Sequence, residues 1–181
     1  MKLVRVAEGL YAGSMPGPWE VDRLREFDLV VSLATPVEHA WNGYDPRLLE
    51  RGRLHWLPVP EYNAPPVNEL AAAVSRALRV LRNGGRVLVH DKRGCARAVM
   101  ASAAVLVALK RVSHLEALAE AGRALGCGVD TLPQLQAVRG LWALIRLGLE
   151  PDTVAELDDA SAAVHEYAAT LYAELTPYLD L

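Results

Sequence analysis

The chain has 181 residues, 52% of them hydrophobic and 23% charged, which is enough for one compact domain with a substantial core. A formal net charge of -3 gives no electrostatic reason to expect a nucleic-acid partner, and no apolar run is long enough to span a bilayer. Because the amino-terminal residues also lack the apolar core of a signal peptide, we expect a cytoplasmic protein without a membrane partner.

Strands and helices alternate over the first half of the chain. Residues 2–14 alternate apolar and polar positions before a Gly/Pro cluster, which predicts one or two strands and a turn. Trp19, Leu24 and Phe27 then follow with helical spacing. The later predicted elements are a buried strand over 28–35, a polar segment with one or two helical turns over 36–52, a strand over 53–60, a loop over 61–66, an amphipathic helix over 67–85 and a strand over 86–91.

Helices dominate the second half. The periodicity predicts helices over about 98–111, 113–125 and 132–147, and a further one from 151 to about 175. The alternation before them predicts an α/β fold with a central, mainly parallel sheet flanked by helices. We divide the chain into a domain over 1–150 and a carboxy-terminal helical extension over 151–181 that packs on it.

The most informative stretch is the turn after the strand that ends near His90. Gly94 permits a sharp turn in which successive backbone N–H groups converge, and Ala96 keeps the turn's interior small. Arg97 stands at the beginning of the next helix, where the helix amino terminus favours anions and a guanidinium can grip two phosphate oxygens. These residues predict an anion-binding loop, although a polar turn without a ligand would have a similar sequence.

The segment VLVHDKRGCARA resembles the signature loop of the cysteine-dependent protein tyrosine and dual-specificity phosphatases. In that family His-Cys is followed by five residues, an Arg, and then Ser or Thr. His90, Gly94 and Arg97 match the family's His, its Gly and its phosphate-gripping Arg. Looser matches to small archaeal and bacterial members occur in the same order over residues 8–147, including the segment LHWLPVPEYNAPP that would carry the general acid.

The resemblance implies a dual-specificity-phosphatase-like fold with a sheet of four or five mainly parallel strands. It places Asp91 at the nucleophile position, Glu61 at the general-acid position and Gln134 near a water-orienting Gln. His90, Ala98 and Gln134 would be supporting residues, with His90 orienting the loop by a backbone hydrogen bond. The phosphate-binding loop itself would consist of Lys92, Arg93, Gly94, Cys95, Ala96 and Arg97.

Three positions depart from the family pattern. Asp91 replaces the nucleophilic Cys, Ala98 replaces Ser or Thr, and Glu61 stands where the family usually has Asp. A carboxylate is poorly nucleophilic, and phosphatases that form an aspartyl-phosphate normally use a metal ion. Asp91 could instead accept the loop N–H groups itself and fill the cradle that a phosphate needs. We therefore expect an impaired or inactive enzyme, whether Asp91 is natural or engineered.

Two cysteines do not make a disulfide framework in a chain of this size, and they fit a reducing compartment. We expect Cys95 to be a small buried or semi-exposed thiol rather than a nucleophile, and we assign Cys127 no role. The histidines outside the loop lack metal-ligand spacing, so we expect neither a metal nor another cofactor.

The sequence therefore predicts a phosphatase-family domain that binds phosphomonoesters, on a phosphorylated protein or as a small molecule. Two alternatives stay open: a non-catalytic module that binds an anion or a partner, and a hydrolase of small sugar or inositol phosphates. A rhodanese-like sulfur carrier is disfavoured, because it too needs a Cys in the loop and because the ordered match extends through PVPEYNAPP.

Overall fold

The computed structural model describes residues 1–43, 45 and 52–158. Five strands lie within that part of the chain: β1 (Leu3–Ala7), β2 (Leu10–Ser14), β3 (Leu29–Ser32), β4 (Leu54–Trp56) and β5 (Val87–Asp91). They form one sheet with the order β1-β2-β5-β3-β4. Strands β1 and β2 are antiparallel, and the other three pairings are parallel.

Six α-helices and one 3-10 helix accompany the sheet in the described residues. The helices are α1 (Pro36–Asn42), α2 (Val67–Arg82), α3 (Ala96–Lys110), α4 (His114–Leu125), α5 (Leu132–Arg146) and α6 (Pro151–Ala155). The helix expected over 19–27 is the 3-10 helix, Pro18–Glu26. Leu24 is the only buried residue within it, and Trp19 is 89% exposed. The segment therefore lacks the continuous apolar face that favours a longer α-helix.

The two faces of the sheet are covered differently. Val87 and Val89 of β5 point into the main core with helices α2, α3, α4 and α5, whereas Leu88 between them points to the opposite face. There it packs with Leu24 and Phe27 at the 3-10 helix. Helix α3 is buried from Ala96 to Ala108, and its many small side chains let neighbouring helices approach closely.

The parallel pairing of β3 and β5 brings their carboxyl ends to the same edge of the sheet. The segments that follow these two strands therefore meet there, which is where ligand sites of open α/β sheets lie. The predicted α/β architecture with five mainly parallel strands and flanking helices is confirmed.

The division at residue 150 stays a prediction. Helix α6 packs on α2, where Ser75 donates a hydrogen bond to Asp152 and the Asn68 side chain donates one to the Leu157 carbonyl at 3.0 Å. Most of the predicted extension, residues 159–181, lies outside the described residues. None of the helices in the described ranges is long and apolar enough to cross a membrane.

Candidate active site

Strand β5 delivers the loop to the sheet edge in a fixed position. The backbone carbonyl groups of its last two residues are both hydrogen-bonded. Leu33 N–H donates to the His90 carbonyl at 2.8 Å, and Met15 N–H donates to the Asp91 carbonyl at 2.7 Å. Gly94 has a φ of +70°, and a Cβ there would lie 2.5 Å from the Ser14 nitrogen. Only glycine satisfies both the left-handed backbone and this close approach to β2.

The Asp91 carboxylate occupies the centre of the loop. Its Oδ1 accepts N–H groups from Arg93 at 2.9 Å, Gly94 at 2.5 Å and Cys95 at 3.3 Å, and its Oδ2 accepts Ala98 N–H at 3.1 Å. The side chain is nearly inaccessible to solvent, with 2% of the residue exposed. Four converging N–H groups at a helix amino terminus form the cradle that the sequence predicts for an anion, and here an internal carboxylate fills it.

Arg97 is buried beside this carboxylate and is held from behind by Glu38. Its Nη1 and Nη2 donate to the two Glu38 oxygens at 2.9 and 2.8 Å, and Nη1 also donates to the Val59 carbonyl at 2.7 Å. Burial alone lowers the pKa of this guanidinium, but the hydrogen bonds and charge of Glu38 raise it above its ordinary value. The Nε edge faces Asp91, with Nε 3.9 Å from Oδ2.

Glu38 is a site residue that the sequence analysis did not single out. Burial tends to raise the pKa of its carboxyl, but hydrogen bonds from Arg97 and from Thr35 N–H lower it to about 2. The same carboxylate closes a capping box with Thr35 at the beginning of α1. The pattern Thr-x-x-Glu directly after a buried strand was the available signal, since it places a carboxylate at the sheet's carboxyl edge.

His90 lies beneath the loop and is completely buried. Burial, with a smaller contribution from the nearby His39, lowers the pKa of its imidazole to about 3. The ring is therefore neutral at physiological pH, and its centroid lies 6.2 Å from that of His39. His39 in turn exchanges a hydrogen bond with Ser32 at 2.9 Å. This arrangement is consistent with the supporting role predicted for His90, which stays a prediction.

The predicted acid segment lies across the mouth of the loop. Glu61 Oε1 lies 3.3 Å from Arg93 Nη2, and both side chains are solvent-accessible. The following residue, Tyr62, has a φ of +67°, which is strained for a residue other than glycine. A hydrogen bond from Thr131 to the Tyr62 carbonyl, at 2.9 Å, helps to hold this conformation.

Gln134 is buried, and its side chain forms hydrogen bonds with backbone groups of the acid segment and of the turn before helix α5. Its amide nitrogen donates to the Asn63 carbonyl at 3.4 Å, and its oxygen accepts Asp130 N–H at 2.9 Å. The water-orienting role of Gln134 stays a prediction. On the other side of the mouth, Lys92 Nζ lies 5.0 Å from the ring centroid of Trp41, within cation–π distance.

The expectation of two free thiols is wrong in this structure. Cys95 and Cys127 form a disulfide with a Cα–Cα distance of 5.9 Å. The sequence concealed the pairing because the cysteines lie 32 positions apart. Helix α4 ends at Leu125, and the left-handed backbone of the next residue, Gly126, turns the chain so that Cys127 meets the loop. Lys2 bridges the same two regions, because its Nζ donates to the carbonyl groups of Gly94 and Leu125.

A search of the described residues finds no group of three or more His, Cys, Asp or Glu side chains that could hold a metal ion. The site thus consists of a carboxylate in a cradle of N–H groups, an arginine clamped from behind, and an acidic segment above it. This arrangement can hold an anion, and in this structure the anion it holds is the Asp91 carboxylate of the same chain.

Comparison with known proteins gives matches at the level of the fold. No protein-family model and no curated protein matches the chain. A mutant form of Tk-PTP superposes with a TM-score of 0.71 and 28% identity, covering 81% of this chain and 97% of that chain. PTPMT1 in complex with PI(5)P gives a TM-score of 0.71 with 19% identity, covering 82% and 99%. Human DUSP28 gives 0.62 with 19% identity, covering 81% and 96%.

The three structures are each covered over at least 96% of their length, and at least 81% of this chain is covered in return. The sequence resemblance seen in the loop and in the order of the surrounding segments is confirmed at this level. The chain has the fold of the small dual-specificity and protein tyrosine phosphatases.

Proposed function

We propose that this domain is a catalytically inactive member of the phosphatase fold that acts as a partner-binding module and, with Asp91 in its loop, neither hydrolyses nor binds phosphomonoesters there. The observation that carries the proposal is the Asp91 carboxylate, which accepts four N–H groups of the loop and helix α3. The groups that would hold a transferred phosphoryl group are thereby already engaged. The residue that would have to attack phosphorus is the same one that engages them.

Position and chemistry both argue against Asp91 as a nucleophile. A carboxylate that accepts several charge-assisted hydrogen bonds has its electron density directed toward those donors and loses nucleophilicity. Among the described residues there is also no group of three or more His, Cys, Asp or Glu side chains that could hold a metal ion beside it. Glu61 could still protonate a leaving group, but an acid is useful only after a nucleophile has attacked.

A second candidate is phosphomonoester binding without turnover, on a phosphorylated protein or a small phosphate ester. The geometry of Arg97 favours it, because Glu38 and Val59 engage Nη1 and one N–H of Nη2, while the Nε edge points into the loop. If Asp91 swung out, that edge and the loop N–H groups would face an incoming phosphate. The two candidates differ in whether Asp91 leaves the cradle.

Calorimetric titration of inorganic phosphate into the wild type and into Asp91→Ala separates them. The first proposal expects no measurable heat for the wild type and binding by Asp91→Ala, because truncation frees four N–H donors. Asp130→Ala is a matched control, since Asp130 is an exposed aspartate on the 126–131 turn rather than in the cradle. Hydrolysis of para-nitrophenyl phosphate is followed in parallel with all three proteins.

Phosphate binding by the wild type as tight as that of Asp91→Ala would favour the second candidate. Turnover by the wild type that persists with a chelator and after alkylation of any exposed thiol would overturn inactivity altogether. Asp91 would then have to serve as the nucleophile.

A further inference from the structure

We propose that the Cys95–Cys127 disulfide is a redox site that holds the loop around Asp91 and releases it when a dithiol reductant opens the bond. This inference goes beyond the proposed function, since it concerns what holds the loop rather than what the loop binds. It depends on the position of the two cysteines in the fold.

Cys95 belongs to the cradle itself. Its N–H is one of the donors to Asp91, and it is the residue directly before helix α3. A covalent bond at this residue therefore restrains a donor group and the beginning of the helix together. The preceding residue, Gly94, is restrained by its packing on β2, so the disulfide fixes the half of the loop that β2 does not.

Cys127 connects the loop to the acid segment. It lies on the turn between α4 and α5, four residues before Thr131. Thr131 donates to the Tyr62 carbonyl and Gln134 donates to the Asn63 carbonyl. The short segment from Cys127 to Gln134 thus carries both the disulfide to the loop and the hydrogen bonds to the acid segment. Opening the disulfide therefore removes the covalent link between the loop and the turn that holds the acid segment.

The chemistry needs only a dithiol. A reductant thiolate attacks one sulfur of the pair, forms a mixed disulfide and releases the other cysteine as a thiolate. The second thiol of the reductant then displaces the protein cysteine, so that two electrons pass to the protein and the reductant leaves as its own disulfide. Both cysteines are partly solvent-accessible, which permits the attack. Where disulfides occur in a reducing compartment, they are usually transient and catalytic or redox-sensing.

Opening the bond loosens the loop without unfolding the domain. Lys2 still donates to the Gly94 and Leu125 carbonyl groups after reduction, and β5 and α3 are buried in the core. The change is therefore local to the residues between the end of β5 and the first turn of α3.

Backbone ¹⁵N relaxation of the full chain tests the proposal directly. In the oxidised protein we expect an order parameter of about 0.85 at Cys95, and after dithiothreitol we expect a value below about 0.6 there, whereas Gly94, which packs on β2, keeps its value. Val31, which is buried on strand β3, serves as the internal reference and keeps its value. Cys127→Ser should show the reduced pattern with or without dithiothreitol, and reoxidation of the wild type should restore the oxidised one.

The proposal is overturned by any of three results. Two thiols that titrate in protein purified under air and denatured without reductant would mean that the bond does not form. An unchanged order parameter at Cys95 on reduction would mean that the bond does not hold the loop. A loss at Val31 as well would make the pair a staple for the whole fold. None of these readouts involves phosphate, so they are independent of the calorimetric test of function.

Discussion

Replacing Glu38 by Gln should destabilise the domain far more than the loss of an ordinary surface charge, because it removes the carboxylate that accepts two hydrogen bonds from the buried Arg97 guanidinium. The two side chains are 9% and 4% exposed. Removing one partner of a buried ion pair typically costs about 3–5 kcal/mol, since the remaining charge keeps its desolvation penalty. The pKa of Glu38 gives an independent figure: a fall from 4.5 to about 2 corresponds to about 3 kcal/mol in favour of the charged form.

Urea unfolding of the wild type and Glu38→Gln measures this cost, and its pH dependence identifies the cause. Because the folded-state pKa of Glu38 is lowered, its contribution is complete above the unfolded value near 4.5 and disappears as pH falls toward 2. The stability difference between the two proteins should therefore be about 3 kcal/mol at pH 7 and should shrink steadily below about pH 4.5.

Glu116→Gln is the matched control. Glu116 closes the same kind of capping box with Ser113 at the beginning of α4, but it is exposed and faces no buried arginine. Its replacement should cost much less than that of Glu38. Equal losses for the two variants, or a Glu38→Gln difference that does not change between pH 5 and pH 2.5, would refute the ion-pair argument and leave only the capping box as the role of Glu38.

Three further predictions follow from the same region. His90→Asn should flatten the fall in the free energy of unfolding between pH 6.5 and pH 4, as urea unfolding curves across that range would show. In the wild type the unfolded imidazole takes up a proton near pH 6.5, whereas the buried one has a pKa of about 3. This difference makes the free energy of unfolding fall by about 1.4 kcal/mol per pH unit in that range. Asp91→Cys should gain hydrolysis of para-nitrophenyl phosphate, and adding Arg97→Ala should reduce that gain by about 10²–10³-fold in a steady-state assay, as the loss of a charge-stabilising donor does elsewhere. Cys127→Ser should lower the unfolding free energy by between about 3 and about 5 kcal/mol in urea, given a loop of 32 positions; a change below 1 kcal/mol would contradict the disulfide.

Much of the fold could be predicted because its signals are local in sequence. The strand over 86–91 and the helix over 67–85 are single periodic segments, and strand–helix alternation constrains the sheet to be mainly parallel. The 3-10 helix was harder to predict, because Trp19 has helical spacing but points to solvent. Spacing alone does not tell which apolar positions find a partner in the core.

The contacts that complete the site are distant in sequence, and local pattern does not reveal them. Glu38 and Arg97 are 59 positions apart, and each has an ordinary local explanation, one as a helix cap and the other as a loop cation. The Cys95–Cys127 bond depends on where α4 ends relative to the loop. Residue types at the end of β5 predicted an anion-binding loop and indicated that Asp91 could fill it, and the folded geometry adds the four N–H groups that this carboxylate accepts.

The charges around the loop account for a carboxylate at a site built for anions. The loop N–H groups, the amino terminus of α3 and Arg97 all favour negative charge, and Glu38 neutralises Arg97 from behind. The donors that converge on the cradle would remain buried and unsatisfied without an anion, at a cost of about 1–3 kcal/mol for each group. In an active enzyme a thiolate and a substrate phosphate meet this requirement in turn. In this structure Asp91 meets it from within the chain, so that the loop N–H groups are satisfied without a ligand.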